Sequence, residues 1–218
     1  MEAFYEKVLA SLQEENKEEA FNLCISALEE KIISIVDLYQ NVLSPALNSI
    51  IEEYPNDEDL IWREHVRSGI IRNIVEAAYP YVLSERNRSG EHRRGNMIVM
   101  CPEYEDHDLG ARMVSDFFTI AGYNSTFIGA RTPRNTILKA VEIVSPKYLC
   151  ISVTNYYNLI SVKKTIESIK LNTSNKVAFL LGGSAFASNP DAYKEVGGDY
   201  YLNNFQDIKD LQKGVELA

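Results

Sequence analysis

The chain has 218 residues, of which 45% are hydrophobic and 24% charged, with 22 basic against 31 acidic residues and a formal charge of -9. That length suits one large domain or two small ones, and the apolar content excludes global disorder. The acidic balance argues against direct nucleic-acid binding, which needs a basic face to displace counterions.

The first 83 residues read as helices. Residues 2–15 place Phe4, Val8, Leu9 and Leu12 near a 3.6-residue period, and residues 17–30 repeat this with Ala20, Phe21, Cys24 and Ala27. Residues 35–51 form a third stripe, with Pro45 inside it as an expected kink. A fourth stretch runs from Pro55 to about residue 83 and places Leu60, Ile61, His65, Ile70 and Ile74 on its apolar stripe. Arg63, Arg67 and Arg72 on this stretch read as a solvated face or as partners of local acids. Four helices with short links imply a four-helix bundle acting as a cap. Residues 84–96 are polar and hold two glycines and four arginines, which reads as an exposed linker.

From residue 97 the texture changes. Short apolar runs at 97–101, 125–128, 148–153, 177–181 and 200–202 alternate with helical patterns at 109–121, 133–144, 160–171, 191–196 and 207–218. That alternation predicts a doubly wound, flavodoxin-like α/β domain over 97–218, with five parallel strands covered on both faces. No apolar run approaches the roughly 18 residues of a membrane span. The first six residues lack a basic stretch ahead of an apolar one, so no signal peptide is expected. Cys24, Cys101 and Cys150 are odd in number and widely spaced, which points to a reducing cytoplasm rather than a disulfide framework or a zinc cluster.

Three signals lie where such a sheet binds ligands, beyond the carboxyl ends of its strands. The first strand is followed by Glu105-Asp106-His107-Asp108-Leu109-Gly110, the third ends in Ser152-Val153-Thr154, and the fourth ends in Gly182-Gly183. Forty-one residues separate Gly110 from Ser152, and 27 separate Thr154 from Gly182. Each signal alone also fits a bland reading: a solvated loop histidine among acids, or an ordinary glycine turn.

Order and spacing together resemble the cobalamin (vitamin B12)-binding, Rossmann-like domain of corrinoid proteins. The resemblance implies that His107 displaces the cofactor's dimethylbenzimidazole base and ligates cobalt from below, the base-off/His-on mode. Glu105 stands where most of the family has aspartate, and it would accept a hydrogen bond from the other ring nitrogen. Asp106 lies within the same motif. Gly110 would let the helix start approach the ring, Ser152 would hydrogen-bond the displaced base, and Thr154 would pack with its methyl. Gly182 and Gly183 would leave room for the nucleotide tail. Arg131-Thr132-Pro133, after the second strand, sits on the same edge and places Thr132 at the corrin rim by position alone.

The helical half carries Tyr54, nine residues, then Glu64-His65. This resembles the Trp-x9-Glu-His motif of the light-sensing adenosylcobalamin regulators, the CarH-type photoreceptors, with tyrosine in place of tryptophan. In that family the helical bundle covers the upper corrin face, and the histidine takes the upper cobalt position after photolysis. Trp62 is a rival aromatic contact or a core residue. The helical pattern begins almost at Met1, so no DNA-binding domain is expected ahead of it. The resemblance therefore implies a sensor or regulatory protein, with adenosylcobalamin favoured over methylcobalamin. It would act through a regulatory protein partner or by forming a homo-oligomer, with no direct contact to nucleic acid or membrane. The alternative is the methyl-carrying corrinoid protein of a cobalamin-dependent methyltransferase system, for which an upper histidine would be a hindrance.

Overall fold

A computed structural model describes residues 1–53, 60–90, 94–174 and 176–211 and divides into two compact units, Met1–Glu85 and Arg86–Ala218. In the first unit, α1 (Glu2–Gln13) and α2 (Lys17–Glu29) are joined by a tight turn. Glu15 takes a left-handed φ of 50° there, and Asn16 caps α2 by accepting the Glu19 N–H at 3.2 Å. Val8, Leu12, Ala20, Cys24, Leu38, Tyr39, Ile71 and Ile74 form the buried interior of this unit. The third stripe is broken into α3 (Ile35–Leu38), a π-turn (Tyr39–Leu43) and α4 (Ser44–Glu53). Pro45 supplies the reason: it has no N–H to give the carbonyl four residues earlier, and the ladder widens ahead of it.

The fourth stretch is two helices, α5 (Leu60–Ala77) and α6 (Tyr79–Ser89). Pro80 again removes the donor that would continue α5. Residues 84–89, expected to belong to the linker, are the last turns of α6. They lack the apolar period that marks a helix in sequence, but Glu, Arg, Asn and Ser are compatible with an exposed one. Gly90, at φ 69°, ends it. A second correction concerns Arg67, which is 1% exposed rather than solvated. It donates to Glu15 Oε1 from Nε at 3.2 Å and from Nη2 at 3.1 Å, and to the Gln13 carbonyl at 3.1 Å. Arg63 reaches the same Glu15 oxygen at 2.9 Å. Turning Arg67 inward rotates Ile61, Trp62 and Val66 outward on the first half of α5, so Ile61 is not a core residue.

The second unit is a five-stranded parallel sheet in the order β2-β1-β3-β4-β5, with β1 Asn96–Met100, β2 Asn124–Gly129, β3 Tyr148–Ser152, β4 Ala178–Gly182 and β5 Tyr200–Leu202. Alternation with period two sorts the strand residues to two buried faces. Ile98, Met100, Leu149, Ile151, Phe179 and Leu181 pack with α8 (Arg134–Val144), α9 (Leu159–Asn172) and α10 (Ala192–Glu195). The connection from β1 to β2 is α7 (Leu109–Ile120), and α11 (Phe205–Asp210) follows β5; Phe117 and Phe205 meet between these two helices at 5.1 Å. Residues 212–218, expected to extend the last helix, lie outside the described residues. No helix among the described residues is long and apolar enough to cross a membrane.

Cys24, Cys101 and Cys150 are free and buried, and burial pushes the Cys24 and Cys150 thiols up to about 12 and raises that of Cys101. Thiols held protonated and out of water react slowly. A thiol-reactive disulfide reagent at pH 8 is therefore expected to label none of them in the folded protein and all three in urea.

Candidate functional site

Topology selects the place. In a doubly wound sheet the binding crevice opens where connections from neighbouring strands diverge. With β1 between β2 and β3, that point lies between the loops leaving β1 and β3. These two loops carry Glu105, Asp106, His107 and Thr154, with Gly110 and Ser152 at their margins.

Glu105 is their hub. Its side chain is 1% exposed. Oε1 accepts from His107 Nδ1 at 2.6 Å and from the His107 backbone N–H at 3.3 Å. Oε2 accepts the backbone N–H of Thr154 at 3.1 Å, that of Asn155 at 2.9 Å, and the Asn158 amide at 3.0 Å. Burial pushes this carboxyl up, but hydrogen bonds from the Asn155 N–H, the His107 ring, the Asn158 amide and the His107 N–H outweigh it, and Glu105 titrates below the ordinary range. An ionised Glu105 keeps the proton on Nδ1 and leaves the lone pair of the ring on Nε2. The His107 side chain is 56% exposed, so the ring is accessible from solvent.

Asn155 and Asn158 are partners of Glu105 that the motif spacing does not mark. Asn155 also caps the short 3-10 turn Tyr156–Asn158 by accepting the Tyr157 N–H at 3.0 Å. Asn158 additionally donates to the Tyr104 carbonyl at 3.3 Å, closing one loop on the other. Their only sequence signal is two asparagines three and six positions beyond the strand end.

On the opposite flank, Arg131 grips Asp106 through both Nε and Nη2, the latter at 2.6 Å. The Arg131 guanidinium holds the Asp106 carboxyl below its usual range. Arg134 pairs with Glu103 at 3.8 Å. Thr132, placed at this edge by position, turns its hydroxyl back to the Ala130 carbonyl at 3.4 Å; Arg131 is the residue of that loop that reaches beside His107.

Ser152 ends β3 opposite Gly182, and the Val153 N–H donates to the Gly182 carbonyl at 2.9 Å. A Cβ on Gly182 would stand 2.6 Å from the Leu202 carbonyl oxygen. One on Gly183, whose φ is 105°, would stand 2.3 Å from the Val153 carbonyl oxygen. Backbone packing alone therefore requires both glycines. At Gly110 the opposite holds: a Cβ would meet nothing within 4 Å, and the helix start is open.

In the helical unit, His65 is 73% exposed with Nε2 3.5 Å from Glu64. Trp62 is partly exposed, with the Arg63 guanidinium 4.6 Å from its ring centroid. Tyr54 lies outside the described residues.

The donor set fits a corrinoid. A corrin provides four equatorial nitrogens, so the protein need add only an axial donor, and imidazole suits cobalt. Among the described residues no three His, Cys, Asp or Glu side chains are grouped to hold a bare ion, whereas one accessible imidazole is braced by a carboxylate. A family model described as B12 binding domain matches residues 95–203, a span that includes His107, Ser152 and Gly182-Gly183. This chain belongs to the B12-binding domain family. The methanol-corrinoid protein of Methanosarcina barkeri is 24% identical over 153 residues, covering 69% of this chain and 56% of its own length. Trimethylamine corrinoid protein 1 of Methanosarcina acetivorans is 21% identical over 136 residues, covering 61% of each. The chain thus spans only about three fifths of the length of these relatives. The solved monomethylamine corrinoid protein of Methanosarcina barkeri shares the fold, with a TM-score of 0.78 at 15% identity over 97% of both chains.

Two substitutions separate support from packing. Glu105→Ala leaves three donors of the β3 loop unpaired. It is expected to destabilise the protein by about 1–3 kcal/mol and to weaken cobalamin binding about 10–100-fold, read by urea unfolding and by absorbance titration. Gly183→Ala is expected to cost roughly 2–4 kcal/mol in unfolding free energy with no cofactor added; unaltered stability would contradict the packing role.

Proposed function

We propose that this chain is the corrinoid-carrying protein of a methyltransferase system, with cobalamin held from below by His107. The observation that carries the reading is an accessible imidazole braced by a buried, ionised Glu105 at the carboxyl edge of a B12-family sheet. The chain's relatives bear the names methanol-corrinoid and trimethylamine corrinoid protein. When bound, the cobalt supplies a centre that takes up and gives away a methyl group.

The residues of the chain hold and orient. His107 would hold the cobalt through Nε2, and Glu105 keeps the Nδ1 proton in place and makes the imidazole a stronger donor. Asn155, Asn158 and Thr154 lock that carboxylate. Ser152 at the end of β3, the open start of α7 at Gly110, Asp106 paired with Arg131, and Thr132 are the further residues that would hold the cofactor. The partner is a methyltransferase, and a net charge of -9 disfavours nucleic acid. Three buried thiols suit a reducing cytoplasm.

This reading replaces the light-sensing one as the leading reading. The named relatives are corrinoid proteins of methyl-donor compounds, and none of those named is a photoreceptor. Tyr54, Trp62, Glu64 and His65 belong to the light-sensing reading and have no assigned role here.

Wild type loaded with hydroxocobalamin is expected to show a base-off, imidazole-ligated spectrum, and His107→Ala is expected to lose it. In the dark, methylcobalamin-loaded protein is expected to pass its methyl group to a nucleophilic acceptor, leaving cob(I)alamin, only when a methyltransferase and that acceptor are added. An oligomeric mass that changes under green light in adenosylcobalamin-loaded protein, with no methyl passed on, would restore the sensor reading instead.

A further inference from the structure

The residues around the imidazole include large aromatic side chains that the fold does not use. Tyr104 is 72% exposed, Tyr156 58% and Tyr157 85%. No hydrogen bond or ring contact involves their side chains among the described residues. Their backbones, in contrast, are part of the support for His107. Tyr104 immediately precedes Glu105, and its carbonyl accepts the Asn158 amide. Tyr156 and Tyr157 form the turn between Asn155 and Asn158, both of which donate to the Glu105 carboxylate. The network that fixes the metal-binding ring therefore also fixes three tyrosines beside it. Ile160, 68% exposed, continues the patch into α9.

A solvent-facing aromatic residue contributes little to the stability of its own fold, and several grouped together mark a binding surface. Tyrosine combines an apolar ring with a hydroxyl that needs a polar partner. The periphery of a corrin matches both: methyl groups alternate with neutral amide side chains. A macrocycle held by His107 would lie against the two loops that brace the imidazole, those leaving β1 and β3.

We propose that Tyr104, Tyr156 and Tyr157 are corrinoid-binding residues that grip the ring periphery and set its affinity, while His107 sets its ligation. This rests on the corrinoid reading above. The occupant is the macrocycle rather than a protein, because all three tyrosines stand on the two loops whose hydrogen bonds brace the imidazole.

The test uses the full chain and two probes, hydroxocobalamin and diaquocobinamide, which lacks the nucleotide tail. Tyr157→Ala and the double variant Tyr156→Ala/Tyr157→Ala are titrated by absorbance beside wild type. Each tyrosine removed is expected to weaken both probes roughly 3- to 10-fold. The imidazole-ligated spectrum at saturation and the Tm without cofactor are expected to stay as in wild type, and Tyr157→Phe is expected to restore most of the affinity. Affinities within about twofold of wild type in the double variant would overturn the assignment and leave the patch to a protein partner, with the corrinoid reading standing. A loss for hydroxocobalamin alone would also overturn it, by moving the tyrosines to the tail. Wild type that binds neither probe would sink this inference and the corrinoid reading together.

Discussion

A carboxylate taken almost wholly out of water is tolerable only when each of its lone pairs is occupied. Glu105 meets that demand with five donors drawn from two loops, and much of the site follows from it. The loops must leave adjacent strands, which the order β2-β1-β3 provides. They must also be short and turned sharply, which the Asn155 cap and the 3-10 turn provide. Four of the five donors are amide N–H groups that favour the ionised carboxylate, so the charge that orients His107 is sustained by the fold.

The other flank of the His107 loop is held differently. The Arg131–Asp106 and Arg134–Glu103 pairs are far more accessible than Glu105, and exposed ion pairs contribute little to stability. Arg131 also sits at a left-handed φ of 54°, a conformation unfavourable for a side chain of its size. The loop thus has a firm side toward β3 and a weaker one toward β2. Polar groups that water can reach are free to re-pair, whereas the Glu105 cluster has no such freedom.

The strands, their parallel arrangement and the placement of the motif at their carboxyl ends were legible because apolar runs of three to six residues alternating with helical patterns carry a strong signal. His107 was legible for another reason: a rare residue type stood in a loop at a distinctive distance from Ser152 and from Gly182-Gly183. Asn158 was hidden because nothing local distinguishes an asparagine that caps a turn from one that reaches a carboxylate 53 positions away. Arg67 was hidden likewise, since its partner Glu15 lies 52 positions back. The packing demand at Gly183 was not legible in the sequence; only the Val153 carbonyl beside it shows that no side chain would fit. The end of α6 escaped because an exposed helix needs no apolar period.

Glu105 occupies a position where aspartate prevails in the family it resembles, and its extra methylene adds about 1.5 Å of reach. That reach is what lets one carboxylate touch the Thr154 and Asn155 amides and the Asn158 side chain at once. Shortening residue 105 would pull the oxygens back from the β3 loop unless the partner at 158 changed to meet them. Residues that share one hydrogen-bond network are not substituted independently. Changes at positions 105 and 158 are therefore coupled in their energetic effect, and the cost of altering both differs from the sum of altering each.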